Sequence, residues 1–234
     1  MSTLVLLPGM DGTGTLFDGL IGALGPGHDI RVMAYPVDTP MTYDALESLV
    51  RSELPDNTPF FLLAESFSGP IGISIAADPP PNLQGLILCC TFAGSPLPAL
   101  HWLGTGAVET LIRLTPEALI GTLLMGGFST PPLRAALKRV LAAVEPRVLA
   151  HRATAALAVD RTAALRRITL PVLDLRASQD HVVPAAAGHL IAACLPHAKV
   201  RTLHGPHFLL QSQPEAAAQV IADFITDARS TQGQ

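Results

Sequence analysis

The feature that most limits how this chain can fold is an apolar run that stops abruptly at a serine. The run at 60–63 (Phe-Phe-Leu-Leu) leads directly into 64–70 (Ala-Glu-Ser-Phe-Ser-Gly-Pro), and a segment rich in small residues follows. This pattern predicts a buried strand, a sharp turn and a helix. A serine at that corner, Ser66, would expose its hydroxyl at the end of a sheet, where a histidine could deprotonate it. The same residues also fit a plain strand followed by a helix that Ser66 or Ser68 caps.

The segment is a variant of the pattern G-x-S-x-G, which forms a nucleophile elbow. It occurs here as Ala64-x-Ser66-x-Ser68, so other small residues replace both glycines. Small side chains are required because the turn brings the strand and the helix close together. The motif alone does not distinguish an active serine from a structural one.

Strands and helices alternate along most of the chain. The strands are predicted at 3–7, 29–34, 60–63, 84–90, 171–176 and 199–203. The helices are predicted at 16–24, 43–54, 70–77, 185–195 and from about 214 to 227. This alternation of apolar strands with helices indicates a mostly parallel sheet that helices cover on both faces. We therefore expect an α/β fold with about six strands, followed by a frayed polar tail at 229–234.

The stretch 91–167 lacks strand signals and predicts a helical insertion. Apolar residues recur there at helical spacing in four segments, 100–114, 116–125, 132–144 and 147–165. We expect the insertion to lie over the edge of the sheet as a cap. The segments 1–90 and 168–234 would then form the core of a single domain.

The first strand runs into a glycine-rich loop at 8–14 (Pro-Gly-Met-Asp-Gly-Thr-Gly). A nucleotide-binding loop is disfavoured, because neither Gly-Lys-Ser/Thr nor the spacing G-x-G-x-x-G is present. We predict instead that the loop presents a backbone N–H, that of Met10, to the serine site. Asp11 would either brace the loop through hydrogen bonds or contact a substrate.

A cap over the serine site would contribute apolar side chains to a pocket. The large apolar residues of the insertion that we considered are Trp102, Leu103, Leu111, Leu124, Met125 and Phe128. Packing onto the body of the protein is the expected role for most of them. Trp102, Met125 and Phe128 are the candidates for lining the pocket, together with Asp11 from the glycine-rich loop.

Three loops that follow predicted strands carry residues of complementary chemistry. They contain Ser66, Asp180 and His207, in that chain order. Because ligands bind outside the carboxyl ends of parallel strands, we expect these side chains to converge there. His207 would accept the proton of Ser66 and pass it to the leaving group, and Asp180 would orient the imidazole and stabilise its cation.

The attack of a serine on a carbonyl creates a negatively charged oxygen that needs fixed donors. We expect the backbone N–H of Phe67, directly after the nucleophile, to be one donor and that of Met10 to be the other. The loss of one such donor typically costs about 3–4 kcal/mol of transition-state stabilisation.

Other histidines and carboxylates suit these roles less well. His181 adjoins Asp180 and cannot readily be oriented by its own neighbour, and His204 falls at a strand end. The remaining alternatives lie in the insertion or inside a strand: His101, His151, Asp160 and Asp174. Glu65 is expected to be a solvated or pocket-rim carboxylate that could alter the pKa of His207.

With the three loops located, the chain resembles the α/β-hydrolase fold superfamily over nearly its whole length. The segment 6–14 resembles the oxyanion loop of a subgroup with Pro-Gly-x-Asp-Gly in place of His-Gly, 64–70 its nucleophile segment, and 205–208 its histidine segment. The order Ser, Asp, His is also that of the fold. The resemblance implies esterase, thioesterase or related acyl-transfer chemistry on a compact core of about six parallel strands.

Composition narrows the possible partners and location. The net charge of −4 provides no basic surface, so nucleic acid is not an expected partner. We find no uninterrupted apolar run long enough to cross a bilayer, and the first residues lack the basic region and cleavage site of a signal peptide. The cysteines Cys89, Cys90 and Cys194 have no metal-binding or redox spacing, which fits free thiols in a reducing compartment. We expect a cytoplasmic protein without metal or organic cofactor.

These observations predict a carboxylesterase that acts on small to medium acyl esters through an acyl-serine intermediate. Thioester hydrolysis or acyl transfer to an alcohol would use the same residues. A catalytically silent ligand-binding protein on the same fold is the alternative of another class. The apolar insertion could also support a homo-oligomer.

Overall fold

The computed structural model describes residues 2–232, which form a six-stranded sheet flanked by helices. The strands are β1 (Ser2–Leu7), β2 (His28–Val32), β3 (Phe60–Glu65), β4 (Leu83–Cys89), β5 (Val172–Gln179) and β6 (Lys199–Pro206). Their order across the sheet is β2-β1-β3-β4-β5-β6, and every neighbouring pair is parallel. The prediction of a mostly parallel sheet of about six strands is confirmed.

Helices connect the strands and cover both faces of the sheet. They are α1 (Asp18–Leu24), α2 (Tyr43–Glu53), α3 (Gly69–Ala77), α4 (Thr105–Leu114), α5 (Glu117–Met125), α6 (Pro131–Ala143), α7 (Pro146–Ala158), α8 (Thr162–Leu165), α9 (Ala185–Cys194), α10 (Leu209–Ser212) and α11 (Pro214–Gln232). Each parallel crossover needs such a connection, because adjacent parallel strands cannot be joined by a tight turn.

The central strands are apolar throughout because both of their faces are buried. In β3, Phe60 and Leu62 belong to one core cluster, whereas Phe61 and Leu63 belong to the other. Residues of α2, α3 and α9 fill the first cluster, and residues of α1 and α11 fill the second. The alternation of side chains along a strand thus separates two cores, one on each face of the sheet.

The chain leaves the sheet after β4, forms α4 to α8, and returns at β5. The end of this segment packs into the main core through Ala156, Val159 and Leu165. Its earlier helices pack elsewhere, because Met125 and Leu137 form a separate small cluster with other residues above the sheet. The segment therefore has one part anchored to the body and another that extends over the carboxyl ends of the strands.

Several predicted boundaries were wrong. The single helix predicted at 147–165 is two helices, because Arg161 N donates to Ala93 O at 2.7 Å and Asp160 forms a bridge with Gly94. The helix predicted from residue 100 begins at Thr105. Strands β5 and β6 continue three residues beyond their predicted ends, because pairing between them extends to Gln179 and Pro206.

The last helix also differs from the prediction. It runs to Gln232 instead of ending near Asp227, so the part of the expected frayed tail within the described residues is helical. The rest of that tail, Gly233 and Gln234, lies outside the described residues.

Within residues 2–232, no single helix has both the length and the apolar character needed to cross a bilayer. The segments Thr105–Leu114 and Glu117–Phe128 reach that length only together, and they meet at a bend of 98°.

Candidate active site

Ser66 lies at the corner where β3 gives way to α3. Its φ angle is 49°, a left-handed conformation that is uncommon for a residue other than glycine. A short 3-10 turn, Ser66–Ser68, follows and leads directly into the helix. The strained corner is therefore present, although the glycines of the usual elbow pattern are not.

The close approach of strand and helix depends on glycines in α3. A Cβ on Gly72 would lie 2.8 Å from the Cβ of Ala64, and a Cβ on Gly69 would lie 1.9 Å from Thr91 Oγ1. Ala64 is tolerated because the facing position in the helix carries no side chain. Ser68 is fully buried, and its hydroxyl donates to the carbonyl of Pro8 in the glycine-rich loop.

The three sequence-predicted side chains meet in one line of hydrogen bonds. Ser66 Oγ lies 2.9 Å from His207 Nε2, and His207 Nδ1 lies 2.8 Å from Asp180 Oδ2. A proton on Nδ1 directed at the carboxylate leaves Nε2 free to accept the serine proton. His207 is only 5% exposed, so this contact is largely shielded from solvent.

The aspartate of this line is itself held in place by the backbone. Asp180 Oδ1 accepts hydrogen bonds of 2.8 Å from the N–H groups of both Val182 and Val183. The second oxygen is thereby left directed at His207. A carboxylate held in this way can orient the imidazole and stabilise the imidazolium that forms when the serine is deprotonated.

The alternative histidines and carboxylates have other partners. His204 packs edge-on against Phe128 with 5.3 Å between ring centroids, and His101 Nδ1 lies 2.7 Å from Pro98 O. Asp174 is buried and pairs with Arg176. Among the residues that the structure describes, no three His, Cys, Asp or Glu side chains are grouped so that they could hold a metal ion.

The backbone N–H of Phe67 lies directly beside the serine and donates to no group within residues 2–232. The peptide that carries it is fixed from its other end, since Ser66 O accepts hydrogen bonds from Gly69 N–H and from the Thr91 hydroxyl. In a planar trans peptide the C=O and N–H point in opposite directions, so these bonds set the direction of the donor. Sequence reasoning missed Thr91, although this residue follows β4 at the edge of the sheet where the site was expected.

The backbone N–H of Met10 is similarly without a partner in the part of the chain that the structure describes. Its peptide is held by a turn in which Gly12 N donates to Gly9 O at 3.1 Å. Asp11 braces the same loop, because its Oδ2 accepts a 2.8 Å hydrogen bond from Thr13 N and a second bond from the Thr13 hydroxyl. Asp11 also lines the cavity beside Ser66, so it both braces the loop and borders the space that a substrate would occupy.

Of the two positions expected for Glu65, solvated or at the rim of the pocket, the solvated one is wrong. Glu65 is 6% exposed, lies on the cavity wall, and accepts a 2.9 Å hydrogen bond from Gln211 Nε2. Burial raises the pKa of Glu65 to about 7, and the nearby Asp11 carboxylate adds to this effect. Gln211, His207 and the backbone N–H of Gly9 act in the opposite direction on the same pKa.

A cavity of about 310 Å³ opens beside Ser66 and His207. Its wall is almost entirely apolar, and the insertion supplies most of it: Ile112, Ile120, Leu123, Leu124, Leu137, Val140, Leu141, Leu149 and Ala153. The body completes the apolar lining with Met10, Leu16, Val182 and Phe208. The site can therefore hold an apolar group next to the serine hydroxyl.

The sequence-predicted pocket residues of the insertion were wrong. Trp102 is 71% exposed, and its indole N–H donates to Ala99 O at 2.9 Å on the outer surface. Met125 is fully buried in the small cluster behind the cavity wall, and Phe128 packs against His204. None of the three lies on the cavity wall. Helical spacing identified the helices but not which of their apolar faces points inward.

Comparisons with known proteins identify the family of the chain and several similar proteins. Residues 41–209 match the model of the Hydrolase_4 family, described as serine aminopeptidase, S33. The chain is 24% identical over 189 residues to the pyrrolizixenacetamide deacetylase of Xenorhabdus hominickii. The aligned region covers 77% of this chain and 71% of that protein.

Solved structures show the same fold. A hydrolase from Pseudomonas aeruginosa PA01 matches with a TM-score of 0.78 at 23% identity, over 96% of this chain and 89% of that one. A thermophilic esterase from Thermogutta terrifontis matches with a TM-score of 0.79 at 19% identity, over 97% and 90%. The predicted α/β-hydrolase fold is thus confirmed. Because the family model spans well over half of the sequence, the chain belongs to the Hydrolase_4 family of α/β-hydrolases.

Proposed function

We propose that this hydrolase is a serine carboxylesterase that cleaves small to medium apolar acyl esters through an acyl-serine intermediate. The observation that carries the proposal is the line of hydrogen bonds from Ser66 through His207 to Asp180, which opens onto an apolar cavity. Serine alone is a weak nucleophile, and a hydrogen-bonded base with its own orienting carboxylate is the arrangement that activates it.

The proposed reaction assigns a residue to each step. Ser66 Oγ attacks the ester carbonyl carbon while its proton moves to His207 Nε2. The resulting oxyanion accepts hydrogen bonds from the N–H groups of Met10 and Phe67. The C–O bond to the alcohol then breaks, and His207 returns the proton to the departing oxygen. A water molecule then attacks the acyl-serine while His207 accepts its proton. The bond to Ser66 Oγ breaks, His207 returns the proton to that oxygen, and the carboxylic acid is released.

The cavity favours an apolar acyl group over a polar one. Polar atoms contribute little to its wall, and the apolar side chains come mainly from the helices above the sheet. Each buried methylene of an acyl chain would contribute about 0.8 kcal/mol, so a chain of several carbons gains substantially over acetate. We expect activity to rise with chain length until the cavity is filled.

The proposal is tested with p-nitrophenyl esters and a fluorophosphonate probe. The Ser66→Ala variant should lose turnover by about 10³-fold or more, because no other group on the cavity wall can form the acyl intermediate. The probe should label the wild type at Ser66 and leave the variant unlabelled. Ser48→Ala, an exposed serine on α2, is the matched control and should keep full activity. Retained turnover in a folded Ser66→Ala protein would exclude the assignment.

Acyl transfer and thioester hydrolysis are the second candidates. The observation that favours them is the segment at 8–12 (Pro-Gly-Met-Asp-Gly), which resembles the oxyanion loop of a subgroup with acyltransferase relatives. The same residues would serve either reaction, since an alcohol can replace water in attacking the acyl-serine. Product analysis with a p-nitrophenyl ester and added alcohol separates the two, and free acid as the sole product would exclude transfer. An unlabelled wild type in the fluorophosphonate assay would instead favour a catalytically silent binding protein.

A further inference from the structure

Arg152 is a buried cation that reaches from helix α7 to the glycine-rich loop. It is 2% exposed, and its Nη1 donates to the carbonyls of Met10 and Asp11, both at 2.8 Å. Its Nη2 donates to Pro36 O at 2.8 Å, and the guanidinium lies 5.6 Å from the centroid of the Tyr35 ring. No carboxylate within the described residues forms a salt bridge with it. Burying a charged group is costly unless hydrogen bonds compensate for the lost water, and here three backbone carbonyls accept those bonds.

The loop leaves room for this side chain. Gly12 has a φ of 72°, and a Cβ at that position would lie 2.5 Å from Arg152 Nη1. Any side chain at residue 12 would therefore be strained and would also push the guanidinium away. The glycine and the arginine form a matched pair, although 140 residues separate them in the sequence.

Every carbonyl of the segment 8–12 accepts a hydrogen bond, and the donors are Ser68, Gly12, Arg152 and Tyr35. Arg152 supplies two of these five bonds, and it is the donor that comes from the insertion. Because peptides are planar, fixing the carbonyls also fixes the directions of the N–H groups between them.

The Met10 N–H is the group for which this rigidity matters. It has no partner within residues 2–232, and Met10 lies on the cavity wall with Ser66. A donor to an oxyanion acts well only when it is already oriented before the charge forms. If the two bonds from Arg152 were lost, the turn from Gly9 to Gly12 would have fewer restraints on this orientation.

We propose that Arg152 is a positioning residue for the oxyanion hole, in that it holds the loop at 8–12 so that the Met10 N–H is directed at the reacting carbonyl oxygen. The inference rests on the proposed function and assigns to the insertion a part in catalysis besides lining the cavity. Helix α7 has both roles, because its Leu149 and Ala153 line the cavity while Arg152 between them holds the loop.

The test is the Arg152→Met variant, which keeps the length of the side chain but has no donors. We expect kcat for a p-nitrophenyl ester to fall about 100-fold and KM to change by less than about twofold, because the donor acts in the transition state. Arg152→Lys should give an intermediate loss, since an ammonium cannot span all three carbonyls. Arg147→Met is the matched control on the same helix, where the exposed arginine donates to Asp38 O at 2.9 Å. It should keep wild-type kinetics.

A transition-state analogue separates positioning from general damage. An alkyl trifluoromethyl ketone forms a hemiketal with Ser66 whose oxyanion needs the same donors, so its affinity should fall by the same factor as kcat/KM. The affinity for the matching straight-chain alcohol, which occupies the cavity without an oxyanion, should stay unchanged.

Several outcomes would overturn the proposal. They are an unchanged kcat in folded Arg152→Met, a change confined to KM, or an equal loss of affinity for ketone and alcohol. If Arg152→Met does not fold, Arg152→Lys carries the test, and failure of both variants to fold would assign the arginine a purely structural role. Failure of the proposed function is distinct, because the wild type itself would then lack turnover.

Discussion

At the scale of single residues, the Glu65 carboxyl stands out because it is buried one position before the proposed nucleophile. Its one side-chain hydrogen bond comes from Gln211 Nε2, while Gln211 Oε1 is buried and has no partner among the described residues. A protonated Glu65 would resolve this, because its O–H could donate to Oε1 while its other oxygen accepts from Nε2. The raised pKa of Glu65, about 7, fits the same protonated form.

This protonation makes stability depend on pH in a defined direction. The unfolded chain releases the Glu65 proton near its ordinary pKa of 4.5, whereas the folded protein keeps it up to about 7. The contribution of Glu65 to stability is therefore fully present below pH 4.5 and is lost as the pH rises through about 7. A shift of this size corresponds to about 3 kcal/mol. The neighbouring Asp11 raises the pKa of Glu65, and His207 lowers it.

We expect the Glu65→Gln variant to remove most of this dependence. Glutamine can form both hydrogen bonds with Gln211 at every pH. The free energy of unfolding of the variant, relative to that of the wild type, should therefore increase by about 3 kcal/mol as the pH rises from about 4.5 to about 8. Urea unfolding followed by circular dichroism across this range measures the difference. Glu53→Gln, at an exposed position on α2, is the control. A constant difference between variant and wild type over the whole range would contradict the prediction.

The sequence predicted single residues best where chemistry fixes their place. Ser66, Asp180 and His207 follow strands whose carboxyl ends meet, so their convergence followed from topology. Glu65 was misplaced, because the sequence does not show that α10 and the glycine-rich loop close over it. Arg152 was missed for a similar reason: its partners are backbone carbonyls from distant loops, and these have no sequence signature.

At the scale of elements, the apolar helices of the insertion set the shape of the cavity. Helix α6 contributes Leu137 and Val140 to the wall, whereas Trp102 lies outside α4 and faces solvent. These helices are apolar on more than one side, since Leu119 on α5 is 50% exposed while Ile120 lies on the cavity wall. Periodicity therefore predicted that they are helices, but tertiary packing selects the face that turns inward.

Filling the cavity should shorten the preferred acyl chain. Val140→Phe adds bulk to the wall, so longer esters should lose the burial of one or two methylenes, each worth about fourfold in kcat/KM. The measurement is the ratio of kcat/KM for p-nitrophenyl octanoate to that for the acetate, which does not depend on the fraction of folded enzyme. Trp102→Ala is the control and should leave this ratio unchanged. An unaltered ratio in Val140→Phe would show that the acyl chain binds elsewhere.

At the scale of the whole molecule, the helices of the insertion differ in how many residues they bury against the rest of the protein. Helix α7 buries five of its residues, including Val148 and Arg152, and its end joins the main core. Helix α4 buries only Val108, and α5 buries only Gly121 and Met125. The exposed large apolar residues also concentrate on the early part of the insertion, so self-association through this face stays a prediction.

This difference should be visible in amide hydrogen exchange of the intact chain. Local opening needs less free energy where fewer apolar side chains are buried, so amides of α4 and α5 should exchange about tenfold faster than those of α7, or more. The amides of β3 and β4 provide the slow reference, because both strands lie in the middle of the sheet. Equal protection of α4, α5 and α7 in dilute protein would mean that the insertion opens as one unit with the core. Protection of α4 and α5 that increases with protein concentration would instead show a second copy covering their apolar face.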